Sequence, residues 1–394
     1  LAAIPKMLPA DRTVRARMEL GNPARRLKPA MLATMVLKNQ TERRQVVPLA
    51  AVGWIARDQS SSELEHGASQ SVSELAFNAS DKLDRNLFER YGDVQAFALS
   101  DAAKSMDPPR LNEWINTMMG IYTPIYTVMV VADANGKIVA ANTVDLNGKP
   151  LATQGLLGKD VTGEAWFQKA TGGSLMQGET FVEDFHEDSL LATVFGASGE
   201  TKALSFTYPI RNAEGKVIGV WTNRFNWSVT LDVLNAVLER AASNGMESAR
   251  LVVVNGAGQV LASQQPEEIL SLDLSDHAAI ALALGKDASG ATKGEALDGS
   301  GDASLLGYFH SNGFATYPGL GWGVIATQDQ DEALSAASAL TTRILIVAAI
   351  ATLLIVGIAT VLARKLRAPV LAVVSSLEEL TTKSLANLQT GISA

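Results

Sequence analysis

The chain contains no cysteine in 394 residues, so disulfides, thiolate metal sites and cysteine nucleophiles are excluded. Histidine is scarce too: His66, His186, His277 and His310 lie far apart, and none stands in a zincin or nucleophile-elbow pattern. Residues 181–188, FVEDFHED, form the one cluster of histidine and carboxylates. Its spacing allows a divalent ion, but an exposed acidic loop explains it equally well, and no metal or cofactor is expected. Residues 155–160, GLLGKD, hold glycine and lysine without the spacing of a phosphate-binding loop. Positive charge is in deficit, with a net of −8, which argues against nucleic acid as a partner because phosphate binding needs a basic footprint. No catalytic constellation remains, and the chain reads as a non-enzyme.

What the sequence does have is a run of 20 residues without a charge, residues 344–363, ILIVAAIATLLIVGIATVLA. As a helix it measures about 30 Å, the thickness of a bilayer's hydrocarbon core. Arg343 closes one end, while Arg364, Lys365 and Arg367 crowd the other. Lys and Arg gather on the cytoplasmic side, which places the C-terminal residues inside and those before 344 outside. The charges agree: residues 57–342 carry 18 Lys and Arg against 36 Asp and Glu, residues 1–56 carry 10 against 3, and residues 343–394 carry 5 against 2. Basic ends suit anionic lipid and cytoplasm. Near the N-terminus, apolar residues 31–37 and 46–56 are separated by Lys38, Glu42, Arg43 and Arg44. Eleven residues with a proline are too few to span, so residues 1–56 read as a basic stretch with a degenerate first membrane or signal segment.

The intervening length suits two domains. Leu83, Leu87, Tyr91, Val94 and Phe97 mark one face of a long helix within residues 57–125, broken by Pro108 and Pro109 before a second helix carrying Trp114, Ile115 and Met118. From Thr127 the pattern becomes strand, the turn Asp133-Ala134-Asn135-Gly136, and strand, a hairpin. Residues 252–262, VVVNGAGQVLA, repeat residues 130–140 without a gap. A second pair suggests itself: Thr207-Tyr208-Pro209 before Gly219-Val220-Trp221, and Thr316-Tyr317-Pro318 before Gly323-Val324-Ile325. The expected fold is α+β, with one antiparallel sheet in each of two tandem modules, residues 126–230 and 231–340, joined by a helix at 231–242. A membrane helix, 344–363, and a cytoplasmic linker, 364–394, follow.

The order of LFERYGDVQAFALS (87–100), YTVMVVADANGKIVAAN (126–142), GKDVTGEAWFQKA (158–170), LSFTYPIRNAEGKVIGVWTN (204–223) and YPGLGWGV (317–324) resembles the double Cache sensor domain of bacterial chemoreceptors, the methyl-accepting chemotaxis proteins, over residues 60–330. Some sensor histidine kinases and diguanylate cyclases share it. Arg367-Ala368-Pro369-Val370 resembles the start of a HAMP linker. The resemblance implies PAS-like modules, a bacterial inner-membrane location with the sensor in the periplasm, homodimers along the long helices, and a chemotaxis output. A membrane-anchored binding protein or an ectodomain enzyme are the readings of other classes.

The resemblance also places a small-molecule pocket in the membrane-distal module, within residues 120–225. Amino-acid-binding members carry Arg-x-Trp-aromatic and a later Asp. Here Glu164-Ala165-Trp166-Phe167 stands at the first motif, and the later position aligns with Arg224, or with Asn223 after a one-residue slip. Both charges are reversed, so that specificity is not carried over. The residues themselves offer Tyr122, Tyr126, Trp166, Phe167 and Tyr208 as aromatic walls. Glu164, Asp184 or Asp188 among them suits an amine. Arg224 suits an organic acid. A pair formed by Glu164 and Arg224 would bind nothing, and ordinary core packing would account for the aromatics.

Overall fold

The computed structural model describes residues 49–196 and 199–392. The N-terminal stretch expected to hold a first membrane or signal segment falls almost wholly outside them.

Helix α1 (Leu49–Ala98) has 50 residues and a length of about 75 Å. Apolar residues at helical spacing bury one stripe: Val72, Leu75, Ala79, Leu83, Leu87, Tyr91, Val94 and Phe97. Two short helices follow, α2 (Asp101–Ser105) and α3 (Pro108–Ile121). The prolines do not break α1, which ends ten residues earlier. They open α3, where Asp107 caps the Arg110 N–H and a missing proline donor costs nothing.

The first module contains β1 (Tyr126–Asp133), β2 (Ile138–Ala141), α4 (Ala165–Thr171), β3 (Phe181–Glu187), α5 (Ser189–Phe195), β4 (Lys202–Arg211) and β5 (Val217–Phe225). Its sheet is antiparallel, in the order β2-β1-β5-β4-β3. Helix α6 (Ser228–Ser243) leads to the second module, with β6 (Arg250–Val254), β7 (Val260–Ala262), α7 (Ala278–Ala283), β8 (Ser289–Glu295), β9 (Ala303–His310) and β10 (Gly323–Asp329). Its order, β7-β6-β10-β9-β8, is the same path traced again. The turn chemistry repeats as well. Asp133 Oδ1 accepts the Asn135 and Lys137 N–H groups, and Asn255 Oδ1 accepts those of Ala257 and Gln259. Gly136 and Gly258 supply the positive φ each turn requires.

The second proposed repeat does not hold. Thr207-Tyr208-Pro209 lies inside β4, whereas Tyr317 sits in the loop between β9 and β10. A shared tripeptide there reflects two different backbone settings.

Each sheet packs one face on α1 and covers the other with loops and short helices. The α1-side core runs through both modules, and a separate apolar cluster sits under each set of loops. At Gly307 in β9 the helix backbone comes so close that a Cβ would stand 2.0 Å from the Val72 carbonyl oxygen. The modules meet around Trp227 and Trp322. Phe185 stacks on Trp227 at 4.1 Å, and the Trp227 indole donates to the Leu261 carbonyl. Trp322 Nε1 donates to Asp184 at 3.0 Å, and Ser311 Oγ donates to Asp84 of α1 at 2.7 Å. The Tyr317 hydroxyl is buried near both carboxylates with no hydrogen-bond partner among the described residues.

After β10, α8 (Gln330–Ala333) leads into α9 (Ser335–Ile392), a helix of 58 residues with Pro369 inside it. Residues Leu345–Lys365 are long and apolar enough to cross a membrane, and none of that stretch is buried among the described residues.

Candidate functional site

The loop-facing side of the first sheet has an unusual floor. Strand pairing sets Glu183, Ser205, Arg224 and Val128 in one row, and Phe181, Thr207, Thr222 and Val130 in the next. Partners in register share a face, so polar side chains from three strands converge beneath α4 and α5. Ser205, Thr207 and Thr222 are fully buried, and Arg224 is 1 % exposed.

Arg224 organises this floor. Its Nε donates to Asp188 Oδ2 at 2.8 Å, its Nη1 donates to Thr222 Oγ1 at 2.7 Å, and the guanidinium lies 5.4 Å from the Trp166 ring centroid. Asp188 caps α5, with Oδ1 accepting the Leu190 and Leu191 N–H groups. Burial alone would raise the Asp188 carboxyl, but the Arg224 charge and these N–H groups more than offset it, holding it below the usual carboxylate range. Trp166 is 1 % exposed, and its indole N–H has no partner among the described residues. Val128, Val130, Phe167, Leu190 and Leu191 complete an apolar surround. Glu164 precedes α4 and accepts the Ser189 hydroxyl at the start of α5, which ties the two covering helices together. His186 approaches Asp188 and Glu183 at 3.8 Å each.

The predicted residues divide between two faces. Trp166, Phe167, Arg224 and, at the rim, Glu164 are brought together on the loop side. Tyr122, Tyr126 and Tyr208 belong to the α1-side core. Tyr126 donates to Asp93 of α1 at 2.8 Å, Tyr122 packs edge-on against Phe97 at 5.0 Å, and Tyr208 accepts the Gly178 N–H. Alternation from Val128 would put Tyr126 on the loop side, but a register shift between the two residues turns it over. Asp184 is bonded to Trp322 at the junction of the modules. Arg224 pairs with Asp188, not with Glu164, because Asp188 lies on the same buried floor while Glu164 sits at the rim. Arg224 faces the floor and Asn223 the opposite side, where it accepts the Trp221 indole N–H. Sequence reasoning missed Ser205, Thr207 and Thr222; the alternation of Thr222 with Arg224 along β5 was the available signal.

Two five-stranded sheets of one topology, strung along a shared helix, with a lidded polar floor in the first, define a tandem PAS-like sensor fold. The Cache domain family model matches residues 57–337, and the chain belongs to that family in its double-module form. A model described as a CusB-like beta-barrel domain matches residues 2–41. No curated protein sequence matches the chain. Among solved structures, the ligand-binding domain of the Pseudomonas aeruginosa amino acid chemoreceptor PctC in complex with GABA is 18 % identical, with a TM-score of 0.46, covering 66 % of this chain and 99 % of that one. That of the Pseudomonas fluorescens chemoreceptor CtaA with L-isoleucine is 14 % identical, with a TM-score of 0.49, covering 70 % and 98 %. The sensory domain of the Campylobacter jejuni chemoreceptor Tlp3 with isoleucine is 10 % identical, with a TM-score of 0.49, covering 70 % and 97 %.

Proposed function

We propose that this protein is the sensing and membrane-crossing part of a bacterial transmembrane chemoreceptor. Both Cache modules lie in the periplasm, residues 345–365 cross the inner membrane, and a small molecule binds under α4 and α5 of the first module. The observation that carries this reading is the continuity of α9, one helix that leaves the second module and includes the apolar stretch. A ligand signals only by binding one conformation better than another. Closure around the first module's floor displaces its sheet against α1 and the second module, and α9 carries that displacement across the bilayer to a cytoplasmic chemotaxis output. Two copies associate along α1.

The absence of cysteine makes the topology directly testable. Lys169→Cys and Glu379→Cys each introduce the molecule's single thiol at an exposed position. A membrane-impermeant maleimide applied to intact spheroplasts should label position 169, and reach position 379 only after permeabilisation. Equal labelling of both in intact spheroplasts, or the reverse order, rejects the model.

A further inference from the structure

We propose that the floor under α4 and α5 is built for a small monocarboxylate, held by the Arg224 guanidinium and the Trp166 indole N–H, with its apolar or aromatic tail among Phe167, Val128, Leu190 and Leu191. The assignment rests on the sensor reading above and narrows its ligand.

The argument is an inventory of donors and acceptors. A guanidinium carries five N–H donors in a planar fork. Among the described residues, Arg224 uses one on Asp188 and one on Thr222. The indole N–H of Trp166, on the ring beside that guanidinium, has no partner among the described residues. A buried indole N–H without an acceptor is costly, so a group that completes this site should bring acceptor oxygens to it and to the adjoining guanidinium.

The acceptors, in contrast, are committed. Asp188 takes two backbone N–H groups on one oxygen and Arg224 on the other, and Glu164 takes the Ser189 hydroxyl. The remaining floor carboxylate, Glu183, accepts the Ser205 hydroxyl at 3.4 Å and has His186 3.8 Å away, and an ammonium ligand reaching it would stand beside a buried guanidinium. Asp188 and, one row position away from Ser205, Glu183 also set an upper limit on negative charge. One carboxylate fits beside them, whereas a phosphate dianion meets their repulsion. The planar fork of Arg224 suits a bidentate carboxylate, and the walls suit a hydrocarbon tail. Entry requires α4 and α5 to part, and the Glu164–Ser189 bond is the polar tie that must open first.

The test is calorimetric titration of the full chain in lipid nanodiscs with matched pairs: butyrate against butylamine, and benzoate against benzylamine. The wild type, Trp166→Phe and the double variant Arg224→Gln/Asp188→Asn are compared, each first shown to melt cooperatively. Trp166→Phe keeps the ring and deletes the N–H, so carboxylate binding should weaken by about tenfold to a hundredfold, the usual loss for one hydrogen bond to a charged group. The double variant should abolish binding without leaving a lone buried charge. Amines binding where carboxylates do not would overturn the ligand class and leave the sensor reading intact. Carboxylates binding equally to all three proteins would place the site elsewhere and overturn the assignment. Neither class binding to a folded wild type would overturn both this assignment and the reading of the floor as a ligand site.

Discussion

At the scale of single residues, two buried acids behave in opposite ways. Asp84 is 5 % exposed on α1, and its carboxyl is pushed up to about 6, chiefly by burial, against the lowering effect of the Ser311, Gly313 and Ser80 hydrogen bonds. The folded protein therefore keeps a proton that the unfolded chain releases near 3.8. Stability from this group is full below about 4 and is lost as pH rises through 6, at most about 3 kcal/mol. Urea unfolding between pH 4.5 and 7.5 should show this falling component in the wild type, and Asp84→Asn should remove it. An unchanged pH profile in the variant would refute the assignment. Asp188 is the reverse case: its lowered pKa gives stability that disappears as pH falls through the folded value. Because Asp188 and Arg224 are 3 % and 1 % exposed, Asp188→Asn or Arg224→Gln alone should cost about 3–5 kcal/mol by leaving a lone buried charge. Removing both should cost less than either, and a double-mutant cycle from urea melts measures the difference.

At the scale of elements, the docking of α1 on the second sheet turns on Gly307. A methyl group there would overlap the Val72 backbone, which cannot move away as a side chain would. Gly307→Ala should lower the melting temperature by several degrees and raise hydrogen exchange in residues 68–80 before it affects the first sheet; uniform exchange across both modules would contradict this. The helix itself was legible in the sequence, because Leu83, Leu87, Tyr91, Val94 and Phe97 follow one period and all are buried. The two hairpins were legible for a similar reason, since Asp133 and Asn255 perform the same turn chemistry. The close approach at Gly307 was not, because it depends on a strand more than two hundred residues from Val72. The site was half legible. Trp166 and Arg224 were marked by residue type, but residue type did not tell which face Tyr122, Tyr126 and Tyr208 occupy, and at Tyr126 a one-residue bulge in β1 reverses the alternation. Asp188 as the partner of Arg224 required the register of β4, β5 and the cap of α5, which only the assembled sheet supplies.

At the scale of the whole molecule, α1 lies along both sheets, and Phe77 on it is 46 % exposed. If copies pair along α1, Phe77→Cys in native membranes should form a disulfide-linked dimer under mild oxidation. A strictly monomeric product would count against pairing through that face. Within one copy, strand β3 has contacts on two sides. Glu183 lies on the loop-side floor, and the irregularity that follows it brings Asp184 and Phe185 against Trp322 and Trp227. Bonded neighbours in one strand therefore face the floor on one side and the junction of the modules on the other. Any displacement of Glu183 would have only one peptide bond to cross before it met a side chain held by the second module.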